Sequence, residues 1–194
     1  MLVIGLTGSI GMGKSTTANM LRRMRIPVHD ADATVHKLMA KGGAAIPALQ
    51  IAFPEAILDG AVDRQKLGAI VFADPTALKR LEAIIHPLVS KRTEAFLQSC
   101  RLRRVRFAVL DVPLLFEGSG HKRCNKIIVV SAPAFLQRRR VLSRPGMSVE
   151  KFRSILAKQM PDIDKRRRAD IVVPTGLGEA FALRRLKRSL KHLT

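Results

Sequence analysis

The 194-residue chain has no tryptophan and no tyrosine, and its eight phenylalanines are scattered over hydrophobic positions. Proteins that hold single-stranded nucleic acid interleave stacking aromatics with basic residues. That platform is missing, so no specific nucleic-acid partner is expected. Cysteine is also scarce: Cys100 and Cys124 lack metal-ligand spacing and read as two reduced thiols of a cytoplasmic protein. No apolar run approaches the ~20 residues of a membrane span, so no membrane partner is expected either. The opening segment, Met1 to Thr7, is apolar but has no basic residue ahead of it, which argues for a buried strand over an export signal. Acidic residues are few, 15 against 35 Lys and Arg, for a net charge of +20. The excess is lopsided: residues 1–97 hold 12 basic and 8 acidic residues, residues 98–194 hold 23 and 7. Such a field draws in polyanions, nucleotides and phosphorylated cofactors among them. Nothing marks a subunit interface, and oligomeric state stays open.

What is present is an alternation of strands and helices. Hydrophobic residues make up 47% of the chain, enough for a compact α/β core. Val3–Thr7, Ile26–His29, Arg106–Asp111, Lys126–Ser131 and Asp170–Val173 read as strands. The two central runs, Phe-Ala-Val-Leu and Ile-Ile-Val-Val, are continuously apolar, as parallel strands buried on both faces require. Helices are expected over Ser15–Met24, Pro133–Ser143, Ser148–Met160 and Gly178–Leu193. From Ala31 to about Cys100 the pattern is helical with no strand of its own. Asp63 suits an N-cap for a helix carrying Leu67, Ile70 and Val71. Leu78, Leu81, Ile84 and Ile85 mark another helix, which Pro87 should kink or restart. The fold class is therefore α/β: a five-stranded parallel sheet flanked by helices, formed by 1–30 and 101–194, with a helical insertion over 31–100.

The sharpest motif lies at the start. Gly8-Ser-Ile-Gly11-Met12-Gly13-Lys14-Ser15 satisfies G-x-x-x-x-G-K-[ST], between a strand and a helix. Glycines let the backbone N–H groups converge on a phosphate, the helix N-terminus adds partial positive charge, and Lys14 supplies a point charge. The Ser15 hydroxyl is a hard ligand for Mg²⁺. Asp111, closing an apolar strand, is the matching carboxylate for the metal. These parts define a P-loop kinase using ATP with Mg²⁺. Asp30 and Asp32 follow the second strand, where a parallel sheet opens its ligand crevice, and either can serve an acceptor hydroxyl as base or orienter; either can equally cap the next helix. Arg140 and Arg144, four apart, can close over phosphates from one helical face, or be part of a solvated basic surface. Lys165–Arg168 is a second basic cluster, and the run from Arg184 to Lys191 reads as a solvated face.

Taken in order, Gly5 to Thr16, Asp30-Ala-Asp32, Asp59-Gly-Ala-Val-Asp63, His86-Pro87, Asp111-Val-Pro-Leu-Leu-Phe-Glu117, Gln137…Arg140…Arg144, Gln159 and Lys165 to Asp170 closely resemble the dephospho-coenzyme A kinase family, over residues 1 to about 172. The resemblance implies ATP-dependent phosphorylation of the ribose 3′-hydroxyl of dephospho-CoA, a nucleotide core, a helical CoA domain and a small helical lid within about 138–165. It implies Asp32 as base and Lys14 and Arg140 as phosphate stabilisers. Gly8, Gly11, Met12, Gly13, Ser15, Thr16 and Arg144 fall at ATP, and Asp30, His86, Arg92, Leu114, Leu115, Phe116 and Glu117 at the acceptor. Two departures stand out. Ser9 and Met12 replace the usual Gly and Ser of the loop, positions that contribute backbone. Val173-Pro-Thr175-Gly176 replaces the usual Asn near adenine, where Thr175 could offer its hydroxyl instead.

Overall fold

The computed structural model describes residues 1–118 and 120–193. They form two compact units, 1–29 with 100–194, and 30–99. The first is built on a five-stranded sheet of β1 (Leu2–Thr7), β2 (Val28–Asp30), β5 (Phe107–Asp111), β6 (Lys126–Ser131) and β7 (Ile171–Pro174), in the order β2-β5-β1-β6-β7. β1 pairs in parallel with β5 (Ile4 opposite Val109) and with β6 (Leu6 opposite Ile128), and β6 with β7. The apolar runs explain this placement. Ile4, Leu6, Val109, Ile128, Val130 and Val173 are all fully buried. Helices α1 (Lys14–Arg23) and α9 (Glu179–Lys191) close one core layer with Ala18, Leu21, Ala182, Leu186 and Leu190. Each such aliphatic side chain stabilises the unit by roughly 1.5–3 kcal/mol. α6 (Ala134–Leu142), α7 (Val149–Ala157) and α8 (Asp162–Arg167) complete it. Ser148 caps α7, its hydroxyl accepting from the Lys151 N–H. α8 carries the second basic cluster, and its Pro161-Asp162 start is the signal that cluster obscured.

The second unit holds α2 (Ala31–Met39), α3 (Ile46–Ala52), α4 (Arg64–Ala73) and most of α5 (Pro75–Leu102) around its own core of Leu38, Leu49, Phe53, Leu67 and Ile85. Asp63 caps α4 by accepting from the N–H groups of Gln65 and Lys66 at 2.9 and 3.1 Å. One expectation fails here and another is narrowed. The insertion does contain strands, a two-residue hairpin of β3 (Ile57–Leu58) and β4 (Ala61–Val62). Its turn, Asp59-Gly60, has positive φ at both residues, 50° and 76°, the dihedrals an Asp-Gly hairpin turn adopts. And of the kink or restart expected at Pro87, the restart is excluded, because α5 runs through Pro87 as one helix. Pro87 and Ala83, whose carbonyl loses its donor, are both exposed, so that carbonyl is not stranded in the core. Among the described residues, no helix is long and apolar enough to cross a membrane.

Candidate active site

The loop between β1 and α1 is shaped by backbone demands. Gly13 caps α1 with φ 89°, a left-handed conformation. At Gly8 an added Cβ would sit 2.8 Å from the Val130 carbonyl oxygen. Ser9 is accommodated without left-handed backbone, and Met12 is buried with its Sδ accepting the Ala132 N–H at 3.1 Å. α1 begins with no side-chain cap and no acidic residue in its first turn. Its first N–H groups, those of Lys14, Ser15 and Thr16, are thus left for an anion.

Four side chains hold this loop from behind. Gln137 on α6 donates its Nε2–H to the Ile10 carbonyl at 2.8 Å. Gln159, just after α7, accepts the Ile10 N–H at 3.0 Å. The two amides clamp one residue, engaging both backbone polar groups of Ile10. Thr175, at the end of β7, donates its hydroxyl to the Met12 carbonyl at 2.7 Å. Arg140 donates to the Thr175 carbonyl at 2.7 Å and to its hydroxyl at 3.2 Å, beside the Gly11 carbonyl. Thr175 is therefore not an open hydroxyl waiting for adenine: it is buried and already engaged under the loop. Arg140 and Arg144 do not share a helix face, because α6 ends at Leu142 and the exposed Arg144 follows in a turn.

Across the loop, Lys14 Nζ lies 2.7 Å from an oxygen of Asp111, which is 2% exposed at the end of β5. β5 leads into Val112–Glu117. Leu115 and Phe116 are buried, Leu115 against Gly5, while Leu114 is exposed. Glu117 accepts from Lys165 Nζ at 2.8 Å and from the Met160 N–H at 2.8 Å. Burial disfavours its charge, but the bonds from Lys165 and Met160 outweigh this and hold its carboxyl below the ordinary 4.5. Lys165, read from sequence as part of a second basic cluster, is fully buried.

In the second unit, Asp30 caps α2, its carboxylate accepting the Ala33 N–H at 2.9 Å. Asp32 is exposed on the first turn of that helix. His86 and Arg92 are exposed on α5, six residues and therefore about 120° apart around the helix.

The loop, its carboxylate and the clamping residues can be set beside known proteins. The family model described as dephospho-CoA kinase matches residues 2–177. A dephospho-CoA kinase of Rhodospirillum rubrum is 56% identical over 97% of this chain and 90% of its own length. One from Paramagnetospirillum magneticum is 63% identical over 86% and 78%. The chain belongs to the dephospho-CoA kinase family. A crystal structure from Thermus thermophilus superposes with a TM-score of 0.83 at 39% identity, covering 100% of this chain and 98% of that one.

Within this family framework, the loop, Lys14, Asp111 and Arg140 form one constellation in the first unit. Asp30, Asp32, His86 and Arg92 belong to the second unit. Sequence reasoning missed the supporting duties of Gln137, Gln159, Thr175 and Lys165. Both glutamines stood in the quoted pattern, but nothing local tells a loop clamp from a ligand contact.

Proposed function

We propose that this protein transfers the γ-phosphoryl group of ATP to the ribose 3′-hydroxyl of dephospho-CoA, giving CoA and ADP in the cytoplasm. The observation that carries the reading is the uncapped, acid-free start of α1 behind a loop with Lys14 and Asp111 facing each other at 2.7 Å. An N-terminus of this kind takes a phosphate, and the ion pair is what a lysine makes until polyphosphate displaces it. Lys14 then serves the β and γ oxygens. Arg140, anchored on Thr175, sits beside the loop to meet charge spreading over the transferred group. Asp32 accepts the proton of the attacking hydroxyl and Asp30 fixes its helix. His86, Arg92 and Leu114 serve the acceptor. Residues 138–165 act as a lid that excludes water, which would otherwise take the phosphoryl group.

The metal reading fits the donor set. Among the described residues no cluster of three or more His, Cys, Asp or Glu could hold an ion alone. Mg²⁺ needs no such cage, since it is held by one or two protein oxygens together with phosphates. Ser15 and Asp111 are those oxygens, and the ion would neutralise charge on the β and γ oxygens. The test is ADP release with ATP, Mg²⁺ and dephospho-CoA, beside shikimate, gluconate and adenosine. ADP formed only with dephospho-CoA, with CoA as product, is the expected result. Turnover on another acceptor instead overturns the substrate assignment.

A further inference from the structure

Two small anionic substrates leave most of the charge of this chain without a use. The first unit holds 27 Lys and Arg against 7 Asp and Glu, the whole excess of +20, while the second is balanced at 8 against 8. The topology of the sheet collects much of this excess at one end. In a parallel sheet every turn leading into a strand lies at the amino end, opposite the phosphate loop. Arg101, Arg103, Arg104 and Arg106 precede or open the way to β5, and Lys122 and Arg123 precede β6. α1 and α9 each return along the sheet from its carboxyl end and pack together. Their final turns therefore bring Arg22, Arg23, Arg188 and Lys191 to that same end.

α9 extends the patch along its length. Arg184, Lys187, Arg188 and Lys191 follow i, i+3, i+4, i+7 and form one exposed stripe opposite the buried Ala182, Leu186 and Leu190. Glu179 is the helix's one acidic residue. Like charges at these spacings destabilise a helix, and a merely solvated face interleaves signs. Asp170, just before β7, pairs with Lys126 at 2.8 Å.

We propose that the amino end of the sheet, with the α9 stripe, is a docking surface for a nucleic-acid duplex, read through its phosphates without regard to sequence. Five strands at ~4.8 Å spacing make an edge of about 19 Å, a length in which a duplex carries about eleven phosphates, both strands counted, at one per ~1.7 Å. With no tryptophan or tyrosine, the surface offers charge rather than stacking, which suits the outward phosphates of a duplex over the bases of a single strand. A membrane surface fits less well. Helices that lie on bilayers insert an apolar face, and those of α1 and α9 are used in the core. The site lies away from Lys14 and stands independently of the substrate assignment.

Fluorescence anisotropy with a labelled 20-base-pair RNA duplex, and its DNA counterpart, tests this across a salt series. The variant Arg23→Gln/Arg104→Gln/Lys122→Gln/Arg188→Gln is compared with a charge-matched control, Arg138→Gln/Arg139→Gln/Lys151→Gln/Arg153→Gln. The intact protein is expected to bind in the ~1–100 μM range at 150 mM salt. The first variant should bind at least ten-fold more weakly, with the salt slope reduced by about 3.6, four contacts at about 0.9 each. Its ADP release should be unchanged. No saturable binding at 150 mM salt, equal loss in the control, or displacement of the duplex by vesicles containing phosphatidylserine each overturns the proposal. Equal binding of the two duplexes means phosphates alone are read; tighter binding of RNA adds its 2′-hydroxyls to the same surface.

Discussion

Glu117 stands where the family pattern points to the acceptor, yet its carboxylate is spent on Lys165 and the Met160 N–H. The two readings give opposite results on mutation. Lys165 is 0% exposed and the Glu117 side chain 20% exposed. Removing one partner of a buried pair costs about 3–5 kcal/mol, because the other charge is left in a poor solvent. Glu117→Gln strands the fully enclosed ammonium and should cost about 3–4 kcal/mol. Lys165→Met strands a carboxylate that keeps the Met160 N–H and some water, and should cost less, about 2–3 kcal/mol. With a urea slope of about 2 kcal/mol/M, the midpoints fall by roughly 1–2 M. The double variant should lose clearly less than the sum, since no charge is stranded. The pH dependence has a definite sign. A carboxyl held below its ordinary 4.5 contributes stability that is present above pH 4.5 and lost as pH falls through the lower folded value. Glu117→Gln should lack that acid-limb loss. Urea titration followed by far-ultraviolet circular dichroism, beside steady-state kinetics, decides the matter. An unchanged midpoint for Glu117→Gln with a raised KM for the acceptor would refute the argument and return Glu117 to the substrate.

Three further outcomes are expected. Thr175→Val leaves the Met12 carbonyl without its donor and should cost about 1–3 kcal/mol in thermal unfolding and raise KM for ATP, while Thr175→Ser restores both. Asp32→Asn should retain ATP affinity in calorimetry but lose at least ~10²-fold in kcat, as removal of a general base does; near-normal turnover would exclude Asp32 as base. Burial pushes the Cys124 thiol from its ordinary 9.0 up to about 11, so alkylation by iodoacetamide at pH 8 should be slow in the folded protein and fast in urea.

The parts that the sequence settled are local ones. A P-loop is a run of eight residues whose glycines and following helix are sufficient to define it, and Gly13 and the uncapped α1 start sit where the pattern put them. The strands were legible because a parallel strand buried on two faces must be apolar throughout. Asp63 was legible as a cap because capping acts over three residues. Asp30 was ambiguous on the same scale: a carboxylate after a strand can cap or catalyse, and the fold made it a cap. The β3–β4 hairpin had a local signal in Asp59-Gly60 that two-residue strands were too short to support.

What only the tertiary structure decided is what supports the loop. Gln159 meets Ile10 across 149 residues, Thr175 meets Met12 across 163, and Lys165 meets Glu117 across 48. Such pairings depend on which strands lie side by side, and a side chain's chemistry does not say whether its partner will be backbone, ligand or water. Lys165 stands in a run of four basic residues with no local sign of burial, and it is α8 that packs it beneath Pro113. The same holds for the basic excess. Its amount was plain in the composition, but its concentration at one end of the sheet follows from parallel strand order, which brings turns far apart in sequence to a common edge.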